Sequence, residues 1–487
     1  MMKTRGRSSF FYILRLIVPI VLPLLHENFN AISTAFVSAS QYSTSTVPLH
    51  ERKSEIKKAS IGSIAADKKK KFKLIQVQVV HRHGDRTPIT PMKDEEFWSK
   101  TLPSSSLLEK ISSGTIIKRD DDKTTGSGHA AFGRGPFGKL TQLGLFQMVE
   151  VGSRLREQLH LDEEDEDGHH FDNEGRMYIQ KGRLFSQKTP LHPNKIVVKS
   201  TDFPRTLQSV QALLVGLFPD GLPDGTHIEI DARHTDILIP DPQPRLSVEQ
   251  AELEKKLSQR KHLLEREAEL KTLSKKISQE LRPFVGEDAS SVSFGIGEEG
   301  DTKLEEKPLS WSQLSEIMTC LKVRGLLPDS ITAEEYETTT SHSAWKWFEN
   351  LRYNKLAYLA MKPFMNFIMD TLNLGHKLSA ELVNNDEEST MYIYSAHDSS
   401  LIGLMCAFRL QQPSQWPEYG SYLKIELFEA DPISNTNGEE KEYFVRFSLN
   451  NNVLKSAWGL GEGDYLETKE MIPLKHLDAS IKSEHGH

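Results

Sequence analysis

Cysteine, long apolar runs and positive charge are all scarce in this chain, and each shortage removes a class of protein. Among 487 residues only Cys320 and Cys406 are available to pair, which excludes a disulfide-stapled scaffold and leaves their own pairing open. None of the fifteen asparagines begins an Asn-x-Ser/Thr glycosylation acceptor. Against 60 Lys+Arg stand 68 Asp+Glu, for a net charge of −8, and no part of the mature chain carries the basic stripe that nucleic acid would require. No nucleic-acid partner is expected, and any anion site must be local. The remaining balance, 37% hydrophobic and 26% charged, is that of a folded protein with a large core and room for an inserted subdomain.

The longest apolar run, Phe10 to Leu25, has sixteen residues and is broken by Arg15, Pro19 and Pro23. A membrane span needs roughly twenty uninterrupted residues. With Lys3, Arg5 and Arg7 ahead of it and small residues at Ser33-Thr34-Ala35 and Ser38-Ala39-Ser40 behind, residues 1–40 read as a signal peptide feeding the secretory pathway, secreted or lysosome- or vacuole-like. An uncleaved signal anchor, giving a membrane tether, is the alternative, and a plastid leader at Ala35-Phe36-Val37 a lesser one. Residues 41–71 are a polar linker ending in Lys68-Lys69-Lys70-Lys71, a solvated basic run.

Three apolar segments end in chemically loaded turns. Phe72 to Val80 is rich in Val and Ile, as in a strand buried on both faces, and empties into His81-Arg82-His83-Gly84-Asp85-Arg86-Thr87-Pro88. Arg82 and Arg86 offer forked donors that match a phosphate, His83 sits between them, and Gly84 is expected to let the backbone approach a ligand. Lys195 to Ser200 is a second strand, running into Thr201-Asp202-Phe203-Pro204-Arg205-Thr206, where Pro204 starts a helix. Met391 to Tyr394 is a third, with the exit Ser395-Ala396-His397-Asp398 and the apolar helix Leu401 to Phe408. Thr141 is the candidate N-cap of a helix that begins Leu140-Thr141-Gln142-Leu143-Gly144.

Other stretches carry less. Ile89 to Gly138 reads as a long loop, Ile228 to Ile230 and Ile237 to Ile239 as short strands or extended segments, and Ser247 to Leu281 as a long Glu/Lys-rich helical stretch, too irregular for a strict heptad coil and read as helices of a cap subdomain. Helices are also expected over Trp311 to Leu326 and Ser343 to Leu374, and closing strands over Ser421 to Leu427 and Tyr443 to Leu449. His169-His170 has no spaced partner and reads as exposed loop rather than a metal site. Gly295-Ile296-Gly297-Glu298-Glu299-Gly300 fits a dinucleotide pattern but lacks a strand before it and an apolar helix after it, and its glutamates would repel a pyrophosphate.

Arg82 to Pro88 resembles the RHGxRxP signature of the histidine acid phosphatases, part of the histidine phosphatase superfamily. Leu140 to Gly144 resembles that family's LTxxG helix, Ser200 to Thr206 its STDxxRT element, and Ser395 to Asp398 its SAHDxxL element, so the likeness covers roughly residues 72–455. It implies a three-layer α/β/α sandwich with a mostly helical cap, the core from 72–240 and 376–487 and the cap from 241–375. It also implies His83 as nucleophile, Asp398 as general acid, and Arg82, Arg86, Arg205 and His397 as phosphate ligands, with no metal or cofactor. The expected activity is phosphomonoester hydrolysis of the acid phosphatase type through a phosphohistidine, on a small phosphorylated substrate. Phytase and lysophosphatidate phosphatase activities fall within the same family, and a mutase-like phosphotransferase and a membrane-tethered binding protein are the competing readings. The low cysteine count departs from the secreted members of the family, and Gln243 stands where relatives often carry a cysteine. Oligomeric state is not readable.

Overall fold

The strands in chain order are β1 (Phe72–Arg82), β2 (Thr115–Lys118), β3 (Ile196–Ser200), β4 (Ile228–Asp231), β5 (Thr390–Ala396), β6 (Tyr422–Ala430), β7 (Glu442–Leu449), β8 (Asn452–Val453) and β9 (Met471–Pro473). They form one sheet in the order β2-β4-β3-β5-β1-β6-β7-β8, with β9 also on β7. The strands from β2 to β1 run parallel and those from β6 onward antiparallel. This is a computed structural model. It describes residues 72–119, 134–159, 191–233, 235–240, 247–286, 308–381, 390–413, 415–430, 441–458 and 471–485. The expected signal segment and linker, His169-His170 and Gly295 to Gly300 lie outside them.

The helices are α1 (Glu95–Lys100), α2 (Ser105–Ser112), α3 (Gln142–Leu159), α4 (Pro204–Leu217), α5 (Val248–Ser258), α6 (Lys261–Glu269), α7 (Lys271–Leu281), α8 (Trp311–Val323), α9 (Ala333–Leu351), α10 (Asn354–Glu381), α11 (Asp398–Ala407) and α12 (Leu474–His485). The period of two in the central strands sorts them into layers. Val77, Val79, Val198 and Ile393 pack with α2, α3 and α4 in one core, while Val80, Tyr392, Tyr394 and Ile425 pack with α10, α11 and α12 in another. Each such side chain contributes about 1.5–3 kcal/mol when fully buried. The result is the α/β/α sandwich. The two glutamines of β1 are satisfied inside it: Gln78 Nε2 donates to Thr371 Oγ1 at 2.7 Å, Gln76 Nε2 donates to the Thr371 carbonyl at 2.9 Å, and Tyr394 donates to Gln78 Oε1 at 2.9 Å.

A third core joins Ile277 and Leu281 of α7 and Ile317, Met318 and Leu321 of α8 to Met92, Trp98 and Phe137, so the cap packs on the segment that follows the signature. That segment is more than a loop. Asp94 and Ser104 accept hydrogen bonds from Phe97 N (2.9 Å) and Leu107 N (3.3 Å), capping α1 and α2, and Thr115–Lys118 is the edge strand β2. The stretch Ser247 to Leu281 is three helices whose turns redirect the chain between cores, Leu257 joining the α10 side and Ile277 and Leu281 the cap. Ile237 to Ile239 is not a strand. Thr235–Leu238 is a 3-10 turn that buries Leu238, cut short by Pro240, which has no N–H for a ladder. The boundary expected at residue 375 falls within α10, whose buried side belongs to the sheet's core. Both cysteines are free and buried.

Candidate active site

Strand register brings the three turns together. In the β1–β5 pair Arg82 lies opposite Ala396, and in the β3–β5 pair Ser200 lies opposite Ser395. The next residues, His83, Thr201 and His397, therefore emerge side by side at the C-terminal edge of three adjacent parallel strands, where such sheets bind ligands. Two crossing backbone bonds lock them, His83 N to the Ala396 carbonyl (3.2 Å) and Thr201 N to the Ser395 carbonyl (3.0 Å).

His83 is 2% exposed. Its Nδ1 is 2.9 Å from the Gly84 carbonyl, which only accepts, so Nδ1 carries the proton and Nε2 keeps its lone pair. Burial and the surrounding cations Arg205, Arg82 and Arg86 push the imidazole well below its ordinary pKa. It stays neutral into the acid range. His397, at the N-cap of α11, is depressed for the same reasons, and Thr201 Oγ1 at 3.0 Å from Nε2 fixes its ring. His397 thus offers a neutral donor rather than a charge.

Around His83 stand the three arginines. Arg82 donates to the Pro417 carbonyl (2.6 Å), pairs with Asp398 Oδ2 (2.8 Å) and lies 4.1 Å above the Tyr419 ring. Arg86 pairs with Glu316 of α8 at 2.6 Å. Arg205, in the first turn of α4, lies over the Phe203 ring at 4.6 Å, and burial together with the charge of Arg86 pulls it down to about 9, still cationic at acidic pH. Asp398 accepts from Trp416 Nε1 (2.8 Å) and Ser399 N (2.8 Å) as well. Burial favours its neutral form, yet the Arg82 charge and the Trp416 hydrogen bond prevail and hold the carboxyl below its usual range. Paired with Arg82, Asp398 is a carboxylate.

Gly84 is also required by packing. A Cβ there would stand 2.2 Å from the Gly144 carbonyl oxygen, and one on Gly144 would stand 2.1 Å from the Asp85 carbonyl oxygen. The two glycines let the signature turn lie directly on the first turn of α3, where Thr141 Oγ1 accepts from Gly144 N (3.1 Å) and donates to Asp85 Oδ2. The close approach is to protein backbone. The same oxygen, Asp85 Oδ2, pairs with Arg324 at 2.7 Å.

The structure thus brings together all six expected residues, His83, Asp398, Arg82, Arg86, Arg205 and His397. It adds Glu316, Arg324, Trp416, Tyr419 and Thr201, which the sequence reading passed over. The first two had a weak signal: Glu316, Cys320 and Arg324 recur every fourth residue, which puts them on one face of α8 and its C-cap.

The profile of the histidine phosphatase superfamily (branch 2) matches residues 73–450. Counting factor 60 of Dictyostelium discoideum is 24% identical over 394 residues, covering 77% of this chain and 80% of that protein. Lysophosphatidic acid phosphatase type 6 of Bos taurus is 22% identical over 388 residues, 77% of each. Among solved structures the apo form of Hafnia alvei phytase superposes with a TM-score of 0.50 at 12% identity, over 86% of this chain and 98% of that one, a likeness of fold. With the signature turn, the two other strand exits and a family match across most of its length, the chain belongs to the histidine phosphatase superfamily, branch 2.

Proposed function

We propose that the chain is a phosphomonoester hydrolase of the acid phosphatase type that works through a phosphohistidine at His83. The observation that carries this reading is the tautomer and environment of His83: a neutral buried imidazole, Nδ1–H tied to the Gly84 carbonyl, set among Arg82, Arg86 and Arg205. Nε2 attacks phosphorus, the bond to the ester oxygen breaks, and Asp398 gives that oxygen a proton. The arginines and the His397 N–H hold the equatorial oxygens as charge develops. Water then attacks the phosphohistidine, loses a proton to the Asp398 carboxylate, and releases inorganic phosphate with His83 restored. Since Asp398 is ionised while bound to Arg82, it gains its proton only when a phosphate dianion takes Arg82's charge, or receives it from a monoanionic ester, the main form below about pH 6. Both routes favour an acid working range.

Acid quench during turnover should trap a phosphorylated wild-type protein. His83→Ala should give neither the adduct nor turnover, with the fold retained, and substantial activity in that variant would remove His83 as nucleophile. Substrate choice is a matter for a panel of phytate, lysophosphatidate, sugar phosphates and an aryl phosphate between about pH 4 and 8. The lysophosphatidic acid phosphatase relative favours lysophosphatidate within it.

For location the reading is a secretory-pathway protein with residues 1–40 as a cleaved signal, supported by the basic start and the short, broken apolar run. Among the described residues no helix is long and apolar enough to cross a membrane. N-terminal sequencing of protein from its native cells should find a start between about Ala35 and Gln41. An intact Met1-proximal peptide with carbonate-resistant membrane association would make it a signal anchor.

A further inference from the structure

α8 presents one polar row to the signature turn, and Glu316 is its end nearest the phosphate clamp. Glu316 Oε1 stands 2.6 Å from Arg86 Nη1 and also accepts from Ile89 N, while Oε2 accepts from Thr90 Oγ1 at 3.0 Å. Its side chain is 6% exposed, so a carboxylate of the cap is sealed against the site. The charged and titratable groups around it are Arg86 on the signature turn, Arg205 on α4, and Cys320 on its own helix, with Tyr419 beside both arginines. Those around Asp398 are Arg82, Arg86, Arg205 and His397.

Charge counting shows what Glu316 does there. Arg82, Arg86 and Arg205 contribute three positive charges, Asp398 and Glu316 two negative ones, and His83 and His397 none; the pair Asp85 and Arg324 cancels. With these pairs formed, the side chains of the site sum to +1. A phosphate ester dianion needs +2 for neutrality, and the site reaches that by protonating Asp398, the same act that loads the general acid. With a neutral residue at 316 the site would already be +2 with Asp398 ionised, and a dianion would be balanced with no proton taken up. We propose that Glu316 is a positioning residue that balances the charge of Arg86, so that substrate binding and proton uptake at Asp398 occur together. This rests on the reading of Asp398 as the acid.

Sulfate is a suitable probe because it stays dianionic through the working range, so any proton taken up on binding goes to the protein. Calorimetric titration of the full-length protein with sulfate at about pH 6, in two buffers of different ionisation enthalpy, counts those protons. Wild type should take up about one and Glu316→Gln close to none, with sulfate bound no more weakly. Glu316→Asp, which keeps the charge, should behave as wild type and shows that the position tolerates change. In turnover, Glu316→Gln should lower kcat on an alkyl phosphate by on the order of tenfold and on an aryl phosphate far less, since only the former needs the proton. Unchanged uptake in Glu316→Gln, or no uptake in wild type, overturns the proposal. Asp398→Asn keeps the two readings apart: uptake that survives in it moves the acid elsewhere and sinks the earlier assignment, whereas uptake lost in it yet kept in Glu316→Gln sinks this one.

Discussion

Arg82 Nη2 lies 2.8 Å from Asp398 Oδ2, so the first arginine of the clamp and the proposed acid are bound to each other before any substrate arrives. In the proposed mechanism a phosphate takes over the charge of Arg82, which makes the protonation of Asp398 a property of the complex rather than of the free protein.

Asp398→Asn removes the proton and keeps the size. On an alkyl phosphate, whose alkoxide leaves badly, kcat should fall by the order of 10² to 10⁴ expected for general acid catalysis. On an aryl phosphate the fall should be far smaller. His397→Ala should hurt both substrates alike, because holding the phosphoryl oxygens does not depend on what departs. Equal losses for the two substrates in Asp398→Asn would leave Asp398 a purely structural residue at the start of α11.

Trp416 sets where that acid titrates. Its Nε1–H bond to Asp398 Oδ2, 2.8 Å long, stabilises the carboxylate, and its ring meets Trp347 edge-on at 6.0 Å. Trp416→Phe keeps a ring for that contact and deletes the donor. The Asp398 pKa should rise, so its protonated form persists further up in pH. The basic limb of kcat for an alkyl phosphate should then move upward by about one unit, as expected for loss of one hydrogen bond to a charged group. A limb that stays in place in Trp416→Phe, with activity intact, would show that the indole has no hold on the acid.

Gly84→Ala tests the seat of the signature turn. The new methyl would fall 2.2 Å from the Gly144 carbonyl oxygen, against backbone that has no rotamer to change, so the turn has to lift from α3. Stability should drop by at least the roughly 1–3 kcal/mol typical of overpacking. Phosphate inhibition should weaken with it, since Arg82 and Arg86 flank the displaced residue. Gly144→Ala, from the other side of the same contact, should give the same pair of losses. Either variant with wild-type melting and inhibition would mean the turn and the helix are not so tightly seated.

Those glycines also mark the limit of what the sequence conveys. The His83 turn, the Arg205 turn and the His397-Asp398 turn were readable because each is a local string at the end of an apolar strand, and parallel register does the rest. The seating of Gly84 on Gly144 was not readable, since Gly144 lies sixty residues on and only the packing of α3 shows the pair. Trp416 and Tyr419 are ordinary aromatics in a stretch without periodicity, and nothing local marks them. Residues 89–138 read as loop because α1, α2 and β2 are each shorter than the windows in which hydrophobic period is visible. Ser247 to Leu281 was legible as helices, but its helical period runs on through both turns, and only the separate cores show where the chain is redirected.

The cap carries its own acid-resistant clasp, which matters for an enzyme expected to work at low pH. Glu267 of α6 accepts from Trp311 Nε1 of α8 at 3.0 Å, pairs with Lys346 of α9 at 2.8 Å and has His342 Nε2 at 3.5 Å. Burial alone would raise its pKa, but His342 and Lys346, aided by Trp311, outweigh that and hold it down at about 2. A carboxyl depressed on folding stabilises the fold above its ordinary value near 4.5, and that stabilisation is lost as pH falls toward the folded value. The clasp therefore persists where most exposed carboxylates are already neutral. Glu267→Gln, which resembles the protonated form, should be less stable than wild type by on the order of 1–2 kcal/mol above pH 5, once solvent screening of this half-buried group is allowed for. Denaturant titrations at successive pH values should show that gap narrowing below about pH 4.5 and closing near pH 2. A gap of constant size across that range would mean that Glu267 acts through packing and not through its charge.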